Sequence, residues 1–330
     1  MRIKTTGKVS EAVLKRSVIK EIASLTKKEP YTLGVGQDAT EFTVEASCPL
    51  CVSTATMEGN QMSYLTCTFV RALNNVLVKG AIPYGASVSI LLNNSAKESE
   101  LKLIMRQIQS LCEKHGVKLL GGETQTSATA LTHIFTVTML GSKMEPQVYQ
   151  RSIPGEAYIV MTNTIGMAGT GIITQEHIKQ LQERYTTSFL QGGIHMLEEL
   201  SIQKDMQAAK KCSFLYAHDV SVGGIFPALW EVGEYLNCGM TINLEKIRLA
   251  QETIEICEYY DLNPYLLFSL GSVIFVTFDY HSLIETLQEH NIFASVIGTV
   301  NSSNDRLIIN GEESRYLEPY KEDELFKVKS

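Results

Sequence analysis

Hydrophobic positions recur along the chain in two rhythms. Residues 10–25 place Leu14, Val18, Ile22 and Leu25 on one face of a 3.6-residue period, with Ser10 positioned as an N-cap, and predict a first helix. A β-rich stretch over residues 42–56 leads to a second helix carrying Leu65, Phe69, Leu73, Val76 and Leu77. That helix stops at Lys79-Gly80, a basic last turn followed by a glycine free to take a left-handed conformation. Residues 87–92 form a β-branched run. Ser95-Ala-Lys-Glu98 then reads as a capping box opening a helix whose apolar face is Leu101, Ile104, Met105, Ile108, Leu111 and Cys112. A strand over residues 117–120 follows at once. Strand, capped helix and strand within about 35 residues make a crossover unit, which points to layered α/β or α+β structure rather than a helical bundle.

A further strand over residues 131–140 ends in a polar stretch, residues 142–155, that contains Pro146 and Pro154 and reads as a linker. The second half repeats the style of the first. It shows a strand over 157–161, helices from Thr174 and Thr187, a strand over 214–217, a helix from Gly224, a strand over 272–278 and a helix from Ser282. No short tandem repeat occurs, which sets solenoids and propellers aside. The expected organisation is two domains, residues 1–150 and 151–330.

Composition narrows the class. The 330 residues are 44% hydrophobic and 20% charged, an ordinary globular balance. With 29 Lys plus Arg against 36 Asp plus Glu, the net charge of −7 supplies no global field for a polyphosphate backbone, so nucleic acid is not expected as a partner. The longest apolar stretch, residues 265–278, is interrupted by Ser269, Gly271 and Ser272 and is shorter than the ~20 residues of a membrane span. The first residues are charged throughout and do not read as a secretory signal. Seven cysteines scattered along the chain fit reduced thiols, and a cytoplasmic location is expected. Cys48-Pro-Leu-Cys51 alone has metal-like spacing, and no second pair completes a tetrahedral set.

Three loops carry candidate chemistry. Gly34-Val-Gly-Gln-Asp38 is a glycine loop ending in a carboxylate; it reads either as an ordinary turn or as a backbone cradle whose acid holds Mg²⁺ on a phosphate. In Leu119-Leu-Gly121-Gly122-Glu123-Thr124 an apolar strand runs into two glycines and an acid. This places Glu123 at the strand's C-terminal end, where ligands gather in open α/β layers, or else marks a tight turn with a solvated acid. Ala217-His218-Asp219-Val-Ser-Val-Gly223-Gly224 closes a strand and opens a helix, whose free N–H groups suit an anion; Asp219 is equally placed to be an N-cap, and His218 to be a structural strand-end residue. Gly166-Met-Ala-Gly169-Thr-Gly171 is a similar cluster, read as preceding a helix. No Walker loop, dinucleotide fingerprint, Gly-x-Ser-x-Gly or His-Glu-x-x-His is present, so a covalent triad is not expected and no catalytic residue is assigned.

Taken in order, five blocks resemble the superfamily of aminoimidazole ribonucleotide (AIR) synthase, thiamine-phosphate kinase, selenophosphate synthetase and the hydrogenase-maturation protein HypE, with HypE-like members nearest. The blocks are Gly34-Val-Gly-Gln-Asp38-Ala39, Arg71-Ala-Leu-Asn74-Asn75-Val-Leu-Val-Lys-Gly80-Ala-Ile-Pro83, Gly121-Gly-Glu123-Thr124, Pro154-Gly155-Glu156 and His218-Asp219-Val-Ser-Val-Gly223-Gly224. The resemblance implies an α+β, two-domain PurM-like architecture. Its N-terminal mixed sheet and helix domain dimerises through a β-barrel and binds ATP, and its C-terminal domain is an α/β sandwich. It further implies Mg-ATP-dependent phosphorylation of an oxygen on a small acceptor, work done by positioning and metal electrostatics. On this reading Asp38 and Glu123 hold Mg²⁺, and Gly36, Asp38, Asn74, Gly121, Gly122, Glu123, Asp219, Gly223 and Gly224 contact the nucleotide. The alternatives are a catalytically silent homodimer with a regulatory or scaffold role, and a kinase of the thiamine-phosphate type.

Departures from the pattern fall near the chemistry. The usual acid pair reads Gln37-Asp38, the acid after the next strand is replaced within Ala55-Thr56-Met57, and the Asn-Asp of the second helix reads Asn74-Asn75. The basic residue before the glycines is Val222, and the Asn-Glu-Gly-Lys block reads Ser269-Leu270-Gly271-Ser272. The sequence given ends Phe326-Lys-Val-Lys-Ser330 without the HypE Pro-Arg-Ile-Cys tail, so a carbamoyl relay on a terminal thiol is not expected.

Overall fold

A computed structural model describes residues 7–8, 13, 15–21, 49–143, 153, 155–319 and 322–328. The chain divides into two compact units, Met1–Val76 with Ala81–Pro146, and Leu77–Gly80 with Gln147–Ser330.

The first unit holds strands β1 (Gly7–Lys8), β2 (Leu50–Glu58), β3 (Ile82–Leu92), β4 (Lys118–Thr126) and β5 (Ile134–Ser142), with helices α1 (Met62–Leu77) and α2 (Glu98–His115). The strand order is β1-β4-β3-β5-β2; β3 and β4 run parallel and the other neighbours antiparallel. The parallel pair is the expected crossover, with α2 as the connection. Strand alternation sends Ala55, Val88, Ile90, Phe135, Val137 and Met139 inward, and Leu65, Phe69, Leu73, Leu101, Ile104 and Ile108 of the two helices are likewise buried. Among the described residues, nothing covers the opposite face of the sheet. It shows Leu50, Val52 and Ile82 exposed, and Thr54 paired with Thr138 and Thr56 with Thr136 through hydroxyls 3.0 Å apart. Among the described residues this sheet stays open, with β2 as an edge, and closes no barrel.

Two readings shift here. The helix start moves from Ser95 to Lys97, whose N–H donates to Glu100 Oε2 at 2.6 Å. Ser95 is diverted because the Asn93 side-chain oxygen accepts both its N–H (3.1 Å) and its hydroxyl (2.9 Å), an Asx turn that competes with capping. The strand expected to end at residue 120 continues to Thr126, so Gly121 and Gly122 are not a turn and Glu123 is mid-strand. The register passes from Ala86 opposite Leu119 to Ser87 opposite Gly121, leaving Leu120 as an extra residue. A Cβ on Gly122 would sit 1.8 Å from the Val88 carbonyl oxygen. The glycines therefore mark a bulge and a close strand approach.

The second unit has a seven-stranded sheet in the order β12-β11-β8-β10-β6-β9-β7. Its strands are β6 (Ala157–Thr162), β7 (Tyr216–Asp219), β8 (Gly239–Asn243), β9 (Val273–Thr277), β10 (Ala294–Asn301), β11 (Arg306–Asn310) and β12 (Glu313–Tyr316). The helices are α3 (Met167–Glu176), α4 (Thr187–His195), α5 (Gln203–Ala209), α6 (Ile225–Leu236), α7 (Gln251–Tyr259) and α8 (Tyr280–Glu289), with a short helix at Ile178–Leu181. Ile225, Leu229, Val232 and Leu236 of α6 join Ile159, Met161, Met240, Ile242, Ile274 and Val276 in one buried cluster. Neighbouring strands are antiparallel except β8 and β11.

The glycine cluster at 166–171 lies largely within α3, which starts at Met167 rather than at Thr174. Gly169 and Gly171 survive in a helix because there is no room for more: added Cβ atoms would meet Leu267 Cγ and Leu197 Cγ at 2.5 Å each. This cluster is a helix-packing surface.

Candidate functional site

Of the residues expected to bind nucleotide, Gly36 and Asp38 lie outside the described residues, as does Cys48. In the first unit, Asn74 is fully buried on α1, while its neighbour Asn75 donates from Nδ2 to Ser53 Oγ at 2.9 Å. Gly121 and Gly122 form the β4 bulge. Glu123 follows, exposed on the uncovered face, level with Ser89 of β3 and accepting from Gln125 Nε2 at 2.5 Å. One carboxylate oxygen, Oε1, is thus engaged by Gln125, and the side chain faces solvent. Among the described residues no three His, Cys, Asp or Glu side chains converge as a metal set.

In the second unit the chain ends of three adjacent strands meet. The C-terminal ends of β6 and β7 flank the N-terminal end of β9, because β9 runs antiparallel to both. The loops leaving these ends are stitched together by backbone and hydroxyl contacts. Ser269 N–H donates to the Ser221 carbonyl at 3.1 Å, Val220 N–H to the Ser272 carbonyl at 3.1 Å, and Gly166 N–H to Ser269 Oγ at 3.0 Å. The predicted Gly223–Gly224 loop thus packs on the Ser269–Ser272 loop that departs from the family pattern.

Each predicted residue in this unit has a definite place. Asp219 closes β7 and is 4% exposed. It is not an N-cap, since Gly224 occupies that position on α6. Gly224 has φ 75° and its Cβ would meet the Tyr265 carbonyl oxygen at 2.5 Å, so only glycine fits. Its N–H donates to the Ser221 carbonyl at 3.1 Å. Gly223 N–H donates to Asp323 Oδ2 at 2.5 Å. The close approach expected of these glycines toward a phosphate is, in this structure, made toward the chain's own atoms.

His218 takes the structural option. Its Nδ1 is 2.7 Å from the Asp219 carbonyl oxygen and its Nε2 is 3.0 Å from Glu231 Oε2. Both partners are acceptors, a geometry that favours the doubly protonated ring. Burial pulls its pKa down, but the Glu231 hydrogen bond and the Asp219 charge and carbonyl outweigh it and raise the pKa. A ring so committed is a strand-end clasp rather than a base.

Sequence reasoning overlooked Asp323. It is 1% exposed and also accepts N–H bonds from Phe268 and Leu325 at 2.9 Å each. The local signal was an acid two residues before Leu325-Phe326, typical of a turn cap; its distant partners Gly223 and Phe268 left no mark on the pattern.

Comparison with known proteins matches two family profiles: AIR synthase related protein, N-terminal domain, over residues 52–142, and AIR synthase related protein, C-terminal domain, over residues 154–310. A Methanocaldococcus jannaschii protein named for hydrogenase expression and formation is 24% identical over 319 residues, covering 92% of this chain and 91% of that one. The crystal structure of hydrogenase maturation protein HypE in complex with ATP superposes with a TM-score of 0.75 at 17% identity, covering 96% of each chain. Thiamine-monophosphate kinase from Stenotrophomonas maltophilia gives a TM-score of 0.72 at 18% identity, covering 90% of this chain and 95% of that one.

Proposed function

The chain belongs to the AIR synthase related proteins, with a two-domain PurM-like fold, and from that premise we propose that it binds Mg-ATP and transfers a phosphoryl group to an oxygen of a small acceptor. The observation that carries the reading is Glu123, an exposed carboxylate held on the open face of the first sheet in a fold shared with a HypE crystallised with ATP. In this reading Asp38 and Glu123 ligate one Mg²⁺, which offsets phosphate charge. Gly36, Asn74, Gly121 and Gly122 line the nucleotide in residues 1–150, and Asp219, Gly223 and Gly224 contribute from residues 151–330. The reading keeps the cytoplasmic location expected from the scattered cysteines.

A second copy is the expected partner. The sheet face and the edge of β2 that no described residue covers suit pairing with the same surface of another protomer, which would close a barrel. One observation favours a catalytically silent relative as the second reading: Asn75, standing where the family pattern carries an acid, is tied to Ser53 and supplies no charge.

Thermal unfolding with Mg-ATP tests the proposal. At 100 times the dissociation constant, bound ligand adds ~2.7 kcal/mol of stability, a clear rise in melting temperature. The rise is expected in wild type and is lost in Asp38→Asn and Glu123→Gln. No rise up to millimolar ATP would sink the nucleotide reading. A rise without labelled phosphate transfer to any small acceptor selects the silent relative.

A further inference from the structure

Residues 322–328 lie on the second unit with Asp323, Glu324 and Leu325 buried, and Asp323 makes the hydrogen bonds to distant parts of the chain. Of its three amide donors, Leu325 belongs to the same segment, whereas Gly223 and Phe268 lie 100 and 55 positions upstream. Those two amides converge on a single carboxylate and make a seat for one oxyanion. Helix α6 begins two residues after Gly223 and directs the positive end of its dipole toward the same loop. The seat is fixed by contacts that do not involve residues 322–328: Gly224 N–H and Ser269 N–H both donate to the Ser221 carbonyl. Ser221 Oγ on this loop is buried with no hydrogen-bond partner among the described residues.

The segment that fills the seat is costly to dock. Glu324 is 3% exposed; one oxygen pairs with Lys327 Nζ at 2.6 Å, and the other, Oε2, is buried without a hydrogen bond. An unsatisfied buried carboxylate oxygen opposes docking. Burial raises the Asp323 pKa above the ordinary carboxylate value despite its three N–H donors, so ionised Asp323 is also held at a cost.

We propose that residues 322–328 are a displaceable strap, and that the Asp323 carboxylate stands in for a phosphate-type oxyanion that takes the Gly223 and Phe268 amides when the strap lifts. The proposal rests on the nucleotide reading only in sharing the Gly223–Gly224 loop, and inorganic phosphate probes it without ATP. A strap docked in roughly 90–99% of molecules weakens apparent phosphate affinity about 10- to 100-fold.

The test uses the full chain as wild type, Asp323→Ala and Leu325→Ala; the last removes a buried strap anchor and leaves the seat amides untouched. Phosphate affinity is measured by calorimetry, and hydrogen exchange is followed over residues 220–226, 266–269 and 322–328. Phosphate is expected to speed exchange of 322–328 in wild type while protecting the amides of Gly223 and Phe268, and to bind both variants at least about tenfold tighter. Unchanged exchange of 322–328 in wild type, or equal phosphate affinity in wild type and Leu325→Ala, overturns the strap. Those two measurements decide the matter even where Asp323→Ala fails to fold. Glu123→Gln separates this proposal from the nucleotide reading, because it should abolish ATP binding and leave phosphate binding intact.

Discussion

The Glu98 carboxylate receives the Arg16 guanidinium through two nitrogens at 2.6 Å and Ser17 Oγ at 3.0 Å, with Lys102 Nζ at 3.3 Å. The Arg16 hydrogen bonds, opposed by burial and aided by Ser17 and Lys102, hold the Glu98 pKa down to about 2 from an ordinary 4.5. A depressed acid contributes its stability above its unfolded pKa and loses it as pH falls through the folded value. Protection of residues 15–21, measured as exchange relative to the intrinsic rate at each pH, should therefore fall between pH 4.5 and 2, more gently at high salt because Arg16 is half exposed. Glu98→Gln should flatten the pH dependence, and a wild-type profile already flat across that window would refute the clasp. None of this was legible in sequence, since Arg16 and Glu98 stand 82 positions apart. The thiols were partly legible: Cys51 is a half-buried strand residue as expected, whereas Cys67, Cys112 and Cys257 are buried on helices, with pKa values pushed up by loss of water.

Periodic elements were the most readable part of the chain. Helix α1 keeps its expected apolar face and stops short of Gly80, whose φ is 69°; α4, α6 and α8 start within two residues of their expected positions. Glycines were the least readable, because sequence shows only that a side chain is missing and not what fills the space. Gly169 and Gly171, read in isolation as a cluster preceding a helix, leave room for leucines inside one, and Gly122, which reads equally as part of a turn, lets β3 approach β4. Gly122→Ala is expected to cost about 3 kcal/mol, the upper range for an overpacked core, because its neighbour is a backbone carbonyl that moves only with its strand. Urea unfolding measures this, and a loss below about 1 kcal/mol would mean the two strands are not so close. Gly116→Ala is the control: it also has positive φ, but nothing lies within 4 Å of its Cβ position, so it carries backbone strain alone.

For the whole molecule, the division into two α+β units was readable from the polar stretch around residue 150 and the restart of apolar periodicity. The open face of the first sheet was not, because alternation shows which residues turn outward and not whether anything covers them. Val52, 61% exposed on edge strand β2, is the natural probe of a second protomer. Wild type is expected at twice the monomer mass in light scattering and Val52→Lys at the monomer mass with an unchanged fold; a monomeric wild type at tens of micromolar would remove the dimer. What stands on that face depends on Leu120. Before this extra residue Leu119 pairs with the inward Ala86, and after it Glu123 pairs with the outward Ser89. Deleting Leu120 would remove the bulge and leave every downstream side chain on its present face, whereas pairing Leu120 in regular alternation would invert them, turning the acid into the core and Thr124 out to water. Whether that carboxylate meets water is set by an odd-or-even count three positions earlier.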